Sequence, residues 1–204
     1  MSATNSSRRW LERQKKDPYV QQAKLEGYRS RAAYKLLQIQ EKYRVFLPDM
    51  RVLELGSAPG SWTQLIAKWV GRDGKVYAVD LLEMSPIEGV EFIQEDIETE
   101  VFWQWCKSIS DRGFDMIVSD MAPNMCGHQR TDQLRSERLV ETVYEITKSY
   151  LAQGGHFLVK AFHGGGFNVL LKELRLTFKQ VKVIKPDASR QSSGEVYVLG
   201  IQKL

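Results

Sequence analysis

Four charged residues in this chain could do chemistry together: Lys35, Asp120, Lys160 and Glu195. Lys160 ends the apolar run FLVK inside GHFLVKAFHGGGF (residues 155–167), just before a cluster of glycines. A charged side chain at the end of a buried strand is a cost unless it binds an anion or serves as a base. Asp120 follows the apolar run DMIV in SDMAPN, Glu195 opens EVYVLG, and Lys35 lies in YKLL. Taken singly, Lys35 and Glu195 read as well as members of ordinary surface ion pairs.

A second set of residues suggests a ligand. LELGSAPGSW (residues 53–62) is a strand running into a Gly-rich turn and then a helix, where glycines let the backbone approach a bound molecule. Gly56 is followed by Ser57, Ala58, Pro59 and Gly60, which is not the GxGxxG of a dinucleotide site. Asp80 in VYAVDLL stands where a carboxylate can accept both hydroxyls of a ribose. Asp96 in FIQED ends the next strand, within reach of an adenine amino group. One by one these acids fit strand-end caps or solvated residues. At successive strand ends they describe a pocket for an adenosine without phosphates, such as S-adenosylmethionine (SAM).

The elements that must position these residues follow from periodicity. SRAAYKLLQIQEKYRVF (30–46) has helical apolar spacing, with Ser30 a candidate N-cap and Pro48 a stop. Strands are expected at 51–56, 75–81, 90–96, 114–121, 155–162, 180–185 and 195–203. Helices are expected at 61–70, 98–111, 132–152 and 167–178. Short Val/Ile/Leu runs alternating with amphipathic helices predict a mostly parallel sheet covered on both faces. The last two strands are joined by too few residues for a crossover helix, so they should pair as an antiparallel hairpin. The expected fold is α/β and Rossmann-like, with seven strands and an antiparallel last one. In such sheets ligands bind outside the carboxyl ends of the strands, where Lys160 and Asp120 fall.

Composition sets the outer limits. The 204 residues, 43% hydrophobic and 26% charged, suit one globular domain with a full core. No apolar stretch approaches a membrane span, and the polar start MSATNSSRRWLERQKK has no signal-peptide core, so a cytoplasmic location is expected. Cys106 and Cys126 form neither a CxxC pair nor a disulfide framework. His128, His156 and His163 stand apart, so no metal is expected. Residues 1–44 hold 11 Lys/Arg against 4 Asp/Glu, while the rest of the chain holds 18 against 21. A basic arm (1–29) on a single domain (30–204) fits a polyanion-binding footprint, and fits a solvated tail equally well.

The segments ELGSAPGSW, VDLL, SDMAPN, FLVKAF and EVYVLG together resemble the FtsJ/RrmJ family of RNA ribose 2′-O-methyltransferases. The likeness runs from YVQQAKLEGYRSRAAYKL to the C-terminus. It is strongest to the bacterial branch, which methylates a uridine of large-subunit ribosomal RNA. The resemblance implies a Lys-Asp-Lys-Glu tetrad at Lys35, Asp120, Lys160 and Glu195. It also implies SAM contacts at Gly60, Trp62, Asp80, Asp96 and Asp120. Ser57 and Ser61 replace the small residues usual in the loop, and Cys126 stands where a serine is common.

On that likeness Lys160 is the expected proton acceptor, since a 2′-hydroxyl is a poor nucleophile until its proton is leaving. A lysine is a base only when neutral. In general, burial beside a second cation favours the neutral amine and neighbouring carboxylates oppose it. Asp120 would orient Lys160, while Lys35 and Glu195 would place the ribose. Arg29 and Arg31, with Arg8, Arg9, Lys15 and Lys16, would contact RNA phosphates, while Trp10 and Tyr19 fit stacking on bases and burial against the domain equally well. The expected partner is ribosomal RNA within the large subunit, met by a monomer. A transfer-RNA or organellar substrate stays open, as does a catalytically silent RNA-binding relative. A nicotinamide dehydrogenase would share the fold but should carry GxGxxG.

Overall fold

The computed structural model describes residues 17–123, 126–164, 166–191 and 193–204. Helices α1 (Pro18–Leu25) and α2 (Ala33–Tyr43) come first, then β1 (Arg51–Leu55), α3 (Ser61–Val70), β2 (Lys75–Asp80) and β3 (Val90–Gln94). Next are α4 (Glu100–Ile109), β4 (Phe114–Ser119), α5 (Gln129–Tyr150), β5 (Leu151–Phe162), α6 (Phe167–Thr177), β6 (Phe178–Ile184) and β7 (Glu195–Lys203). The strands form one seven-stranded sheet in the order β3-β2-β1-β4-β5-β7-β6. The first five are mutually parallel, and β7 runs antiparallel to both β5 and β6, as the short final connection predicts.

Each central strand is buried on both faces because successive side chains point opposite ways. Leu53 and Leu55 of β1 face a core with Phe102 of α4, Val143 of α5 and Leu174 of α6. Val52 faces the other core, with Leu36 of α2 and Ile66 of α3. The same alternation governs β5. Phe157, Val159 and Ala161 enter the first core and Leu158 the second. Lys160, two residues beyond Leu158, therefore points to the α2–α3 side.

Several element boundaries shift by a few residues, and two differences from the sequence pattern are larger. β5 begins at Leu151, directly after α5, where the expected helix ran to 152 and the expected strand began at 155. Leu151 pairs with Phe114, the register then slips, and pairing resumes at His156 opposite Met116. The second difference lies in the arm. Its residues 17–29 include α1, capped by Asp17, whose side chain accepts from Tyr19 N at 3.1 Å. Tyr19 packs against Tyr34 of α2 at 5.2 Å between ring centres, and Ala23 is buried. Arg8, Arg9, Trp10, Lys15 and Lys16 lie outside the described residues.

Among the described residues no helix is long and apolar enough to cross a membrane. Cys106 is sealed in the core and Cys126 is exposed. Burial pushes the Cys106 thiol up to about 12. A thiol-reactive dye should therefore titrate one cysteine of the folded protein quickly, and the second only in denaturant. Rapid labelling of both in the native state would contradict this packing.

Candidate active site

The tetrad is assembled by strand register. β4 and β5 are parallel with Ser119 opposite Val159, which sets Asp120, the next residue, beside Lys160. β5 and β7 are antiparallel with Lys160 opposite Tyr197 and Phe162 opposite Glu195. Tyr197 and Glu195 thus share the face that Lys160 uses. Lys35, from the first half of α2, reaches the same place from above the sheet.

The contacts are close. Lys160 Nζ lies 3.1 Å from Asp120 Oδ1 and also donates to the Asp120 carbonyl oxygen. Lys35 Nζ lies 2.8 Å from Glu195 Oε1 and 3.9 Å from Asp120 Oδ1. Ser189 Oγ donates to Glu195 Oε1 at 2.8 Å. Lys160 is only 8% exposed, so its amine is held by these partners more than by water. All four sequence candidates come together.

Tyr197 completes the cluster, and sequence reasoning passed over it as a strand aromatic. Its hydroxyl donates to Asp120 Oδ1, while its ring lies 5.7 Å from that of Trp62 and under Lys35 Nζ at 5.6 Å. Burial, with Asp120 and Glu195 beside it, pushes the phenol well above its ordinary value, so it remains a donor. Only the register that sets it opposite Lys160 distinguishes it from a packing aromatic.

Next to the tetrad a cavity of about 630 Å³ opens at the carboxyl ends of β1 to β4. Gly56, Ala58, Asp80, Leu81, Asp96, Ile97, Asp120 and Met121 are among the residues on its wall. Asp80 is fixed at the mouth, with Oδ2 accepting from Ala58 N and Oδ1 from Leu82 N, each at 2.8 Å. Each oxygen keeps a second lone pair for a ligand hydroxyl. Asp96 Oδ1 accepts from Glu98 N at 2.9 Å. Gly56, with φ of +80°, has no room for a side chain, since a Cβ there would fall 2.0 Å from Met121 Cγ. The wall carries five carboxylates, Asp80, Glu95, Asp96, Glu98 and Asp120, against Arg135 and Arg138. Such a lining repels phosphates and suits a nucleoside bearing positive charge.

Two expected cofactor residues lie off this wall. Gly60 sits behind the loop, its Cα face against Arg29, Met84 and Ile87. Trp62 is 2% exposed, with its indole N–H donating to Ala32 O at 2.9 Å. Both stand at the start of α3, Gly60 as its N-cap residue and Trp62 as its second residue. Arg29 and Arg31 also depart from the phosphate-contact reading. Arg29 donates to the carbonyls of Pro59, Ser85 and Pro86. Arg31 pairs with Asp17 and donates to Ala188 O.

Below the loop lies another group that the sequence pattern hid. Glu54 of β1 is 2% exposed and its Oε2 has no hydrogen-bond partner. Burial pushes its carboxyl up to about 8, with Asp120 and Asp80 adding to the rise and a hydrogen bond from Thr63 opposing it. Among the described residues no group of three or more His, Cys, Asp or Glu is placed to hold a metal ion.

Residues 28–203 match the family described as FtsJ-like methyltransferase. The chain belongs to that family. It is 46% identical over 201 residues to the ribosomal RNA large subunit methyltransferase E of Chromobacterium violaceum, covering 98% of each protein. The counterpart from Coxiella burnetii is 49% identical over 198 residues, covering 95% of this chain and 93% of that one. Among solved structures, a ribosomal RNA methyltransferase from Plasmodium falciparum superposes with a TM-score of 0.77 at 31% identity, over 87% of this chain and 99% of that one. Fibrillarin from Aeropyrum pernix, in complex with natively bound S-adenosyl-L-methionine, shares the fold with a TM-score of 0.61 at 18% identity, over 85% of this chain and 75% of that one.

Two expectations follow for this family member. Glu54 holds a proton in the folded state that it loses on unfolding. Its share of stability should therefore be full below about 4.3, the ordinary glutamate value, and fall as pH rises toward about 8. Thermal melts of Glu54→Gln should show a shallower loss between pH 5 and 8 than wild type, and parallel curves would refute the assignment. Tyr197→Phe keeps the ring but removes a donor to a charged carboxylate. It should cost about 2 kcal/mol in a urea unfolding titration, where a loss near zero would mean Asp120 is satisfied without it.

Proposed function

We propose that the protein transfers a methyl group from SAM to the 2′-hydroxyl of a ribose, a uridine's, in large-subunit ribosomal RNA, with Lys160 as proton acceptor. One observation carries the reading. Asp120 lines the carboxylate-rimmed cavity and at the same time contacts Lys160 and Lys35. A hydroxyl positioned over Asp120 would meet the cofactor's reactive end on one side and the lysines on the other.

SAM supplies an electrophilic methyl group on a positively charged sulfur. Asp80 would accept from its ribose hydroxyls and Asp96 from its adenine amino group, both carboxylates lying on the cavity wall. The remaining work belongs to the tetrad. Lys160 Nζ, as the free amine, would take the hydroxyl proton while the ribose oxygen bonds to the methyl carbon and the carbon–sulfur bond breaks to leave a neutral thioether, so that no free alkoxide need form. Lys35, tied to Glu195, holds the ribose edge from the opposite side. Asp120 fixes the Lys160 amine, and Tyr197 fixes Asp120 in turn. This arrangement supplies orientation, which matters because an in-line displacement depends on alignment of the reacting atoms. The ribosomal acceptor is supported by the names of the relatives that match nearly the whole chain.

The decisive experiment supplies methyl-labelled SAM and large ribosomal subunits lacking 2′-O-methylation, followed by nuclease mapping of the label. Label should appear on a ribose 2′-oxygen of a uridine. Lys160→Ala should lower the rate by roughly 10²–10⁴ while SAM binding stays near wild type. Label on transfer RNA instead would move the acceptor, and SAM binding with no label in any RNA would indicate a silent relative. A Lys160→Ala enzyme with more than a tenth of the wild-type rate would remove Lys160 as the base.

A further inference from the structure

Arg29 lies in the turn between α1 and α2, six residues before Lys35 in the first turn of α2. Its guanidinium donates to three carbonyl oxygens on two separate segments. Nη1 reaches Pro59 O at 2.9 Å and Ser85 O at 2.8 Å, and Nη2 reaches Pro86 O at 3.1 Å. Pro59 belongs to the loop after β1, Ser85 and Pro86 to the loop after β2. These loops carry Gly56 and Ala58 on one side of the cofactor cavity and Leu81 and Leu82 on the other.

The contact is built from both sides. Gly60 has φ of +102°, and a Cβ there would fall 2.5 Å from Arg29 Nη1 and 3.0 Å from Met84 Sδ. The positive φ favours glycine there, and any side chain would have to push the guanidinium aside. Arg29 N donates to Gln64 Oε1 at 3.1 Å, and Gln64 Nε2 donates to Gly27 O at 3.3 Å. Ser61 Oγ donates to Ser30 Oγ at 2.7 Å, and Trp62 Nε1 to Ala32 O. Residues 27–32 are thus stitched to residues 59–64, with the tetrad helix continuing from the stitched segment.

Three carbonyl dipoles aimed at one point repel each other unless a donor with several fixed N–H groups stands between them. Arginine's planar fork meets that need, and a lysine's compact ammonium on a flexible stem does not. We propose that Arg29 is a positioning residue for the cofactor: it sets the spacing of the two loops that wall the SAM cavity and ties them to α2, and it does not bind RNA phosphate. This rests on the methyltransferase reading for the identity of the cofactor. It replaces the phosphate-binding role that the basic arm suggests for the same residue.

The two roles predict opposite results in measurements that need no turnover. SAM binding to the full-length protein is measured by titration calorimetry without RNA. Binding of a fluorescently labelled RNA stem–loop is measured by anisotropy from about 50 to 200 mM salt. For Arg29→Lys and Arg29→Met, SAM should bind at least about tenfold more weakly, with no rescue by lysine, while the RNA salt slope stays at the wild-type value. Gln64→Ala, which loosens the backbone tie without touching the cavity wall, should shift SAM affinity in the same direction by less. Wild-type SAM affinity in Arg29→Lys would overturn the proposal. So would a salt slope reduced by about one in Arg29→Met with SAM binding intact, the signature of a lost phosphate contact. Failure of the wild-type protein to bind SAM would instead strike the methyltransferase reading itself.

Discussion

The site depends on one constraint: β5 is held between a parallel neighbour and an antiparallel one. Parallel pairing with β4 brings the residue after Ser119 next to Lys160, so Asp120 arrives at the strand end as a neighbour. Antiparallel pairing with β7 brings Tyr197 directly across from Lys160 and Glu195 one step beyond on the same face. A slip of one residue in either ladder would turn Lys160 or its partners to the opposite face, because side chains alternate along a strand. The buried runs Phe157–Val159 and Val196–Leu199 prevent that slip, since each alternates between the two cores. The geometry of the charged cluster is therefore held by hydrophobic burial around the charges and beyond them.

Electrostatics divides the carboxyl end of the sheet into two zones. Over β1 to β3 the cavity wall is dominated by carboxylates, which favours a cationic nucleoside and disfavours phosphates. Over β4, β5 and β7 two lysines alternate with two carboxylates, with Asp120 on the border. Removing one member of such a buried cluster leaves an uncompensated charge, at a cost of roughly 3–5 kcal/mol. The lysines are thus part of what keeps Asp120 and Glu195 in place. Tyr197, kept protonated by its surroundings, adds a donor without adding charge.

Much of this could be read from particular stretches of the chain. FLVK, SDMAPN and EVYVLG announce charged residues at the ends of buried strands, and the short link before β7 announces the antiparallel pair. Tyr197 could not be singled out, because a tyrosine inside an apolar strand has the same local pattern whether it packs or donates. Glu54 is a polar residue between two leucines in sequence, and its burial follows from the tertiary packing around β1. Arg29 looked like part of a basic arm. Its role depends on carbonyls 30 and more than 50 residues away in sequence, brought to one point by the fold.

The sequence by itself determined the α/β alternation, the two-sided burial of the strands, and which residue types stand at the strand ends. These are local matters of periodicity and turn chemistry, carried by neighbouring residues. Only the tertiary structure decided which charges meet, which carboxyl is cut off from water, and whether an arginine faces solvent or three carbonyls. Those outcomes depend on register and on contacts between segments far apart along the chain, and no local pattern encodes the distance between two loops.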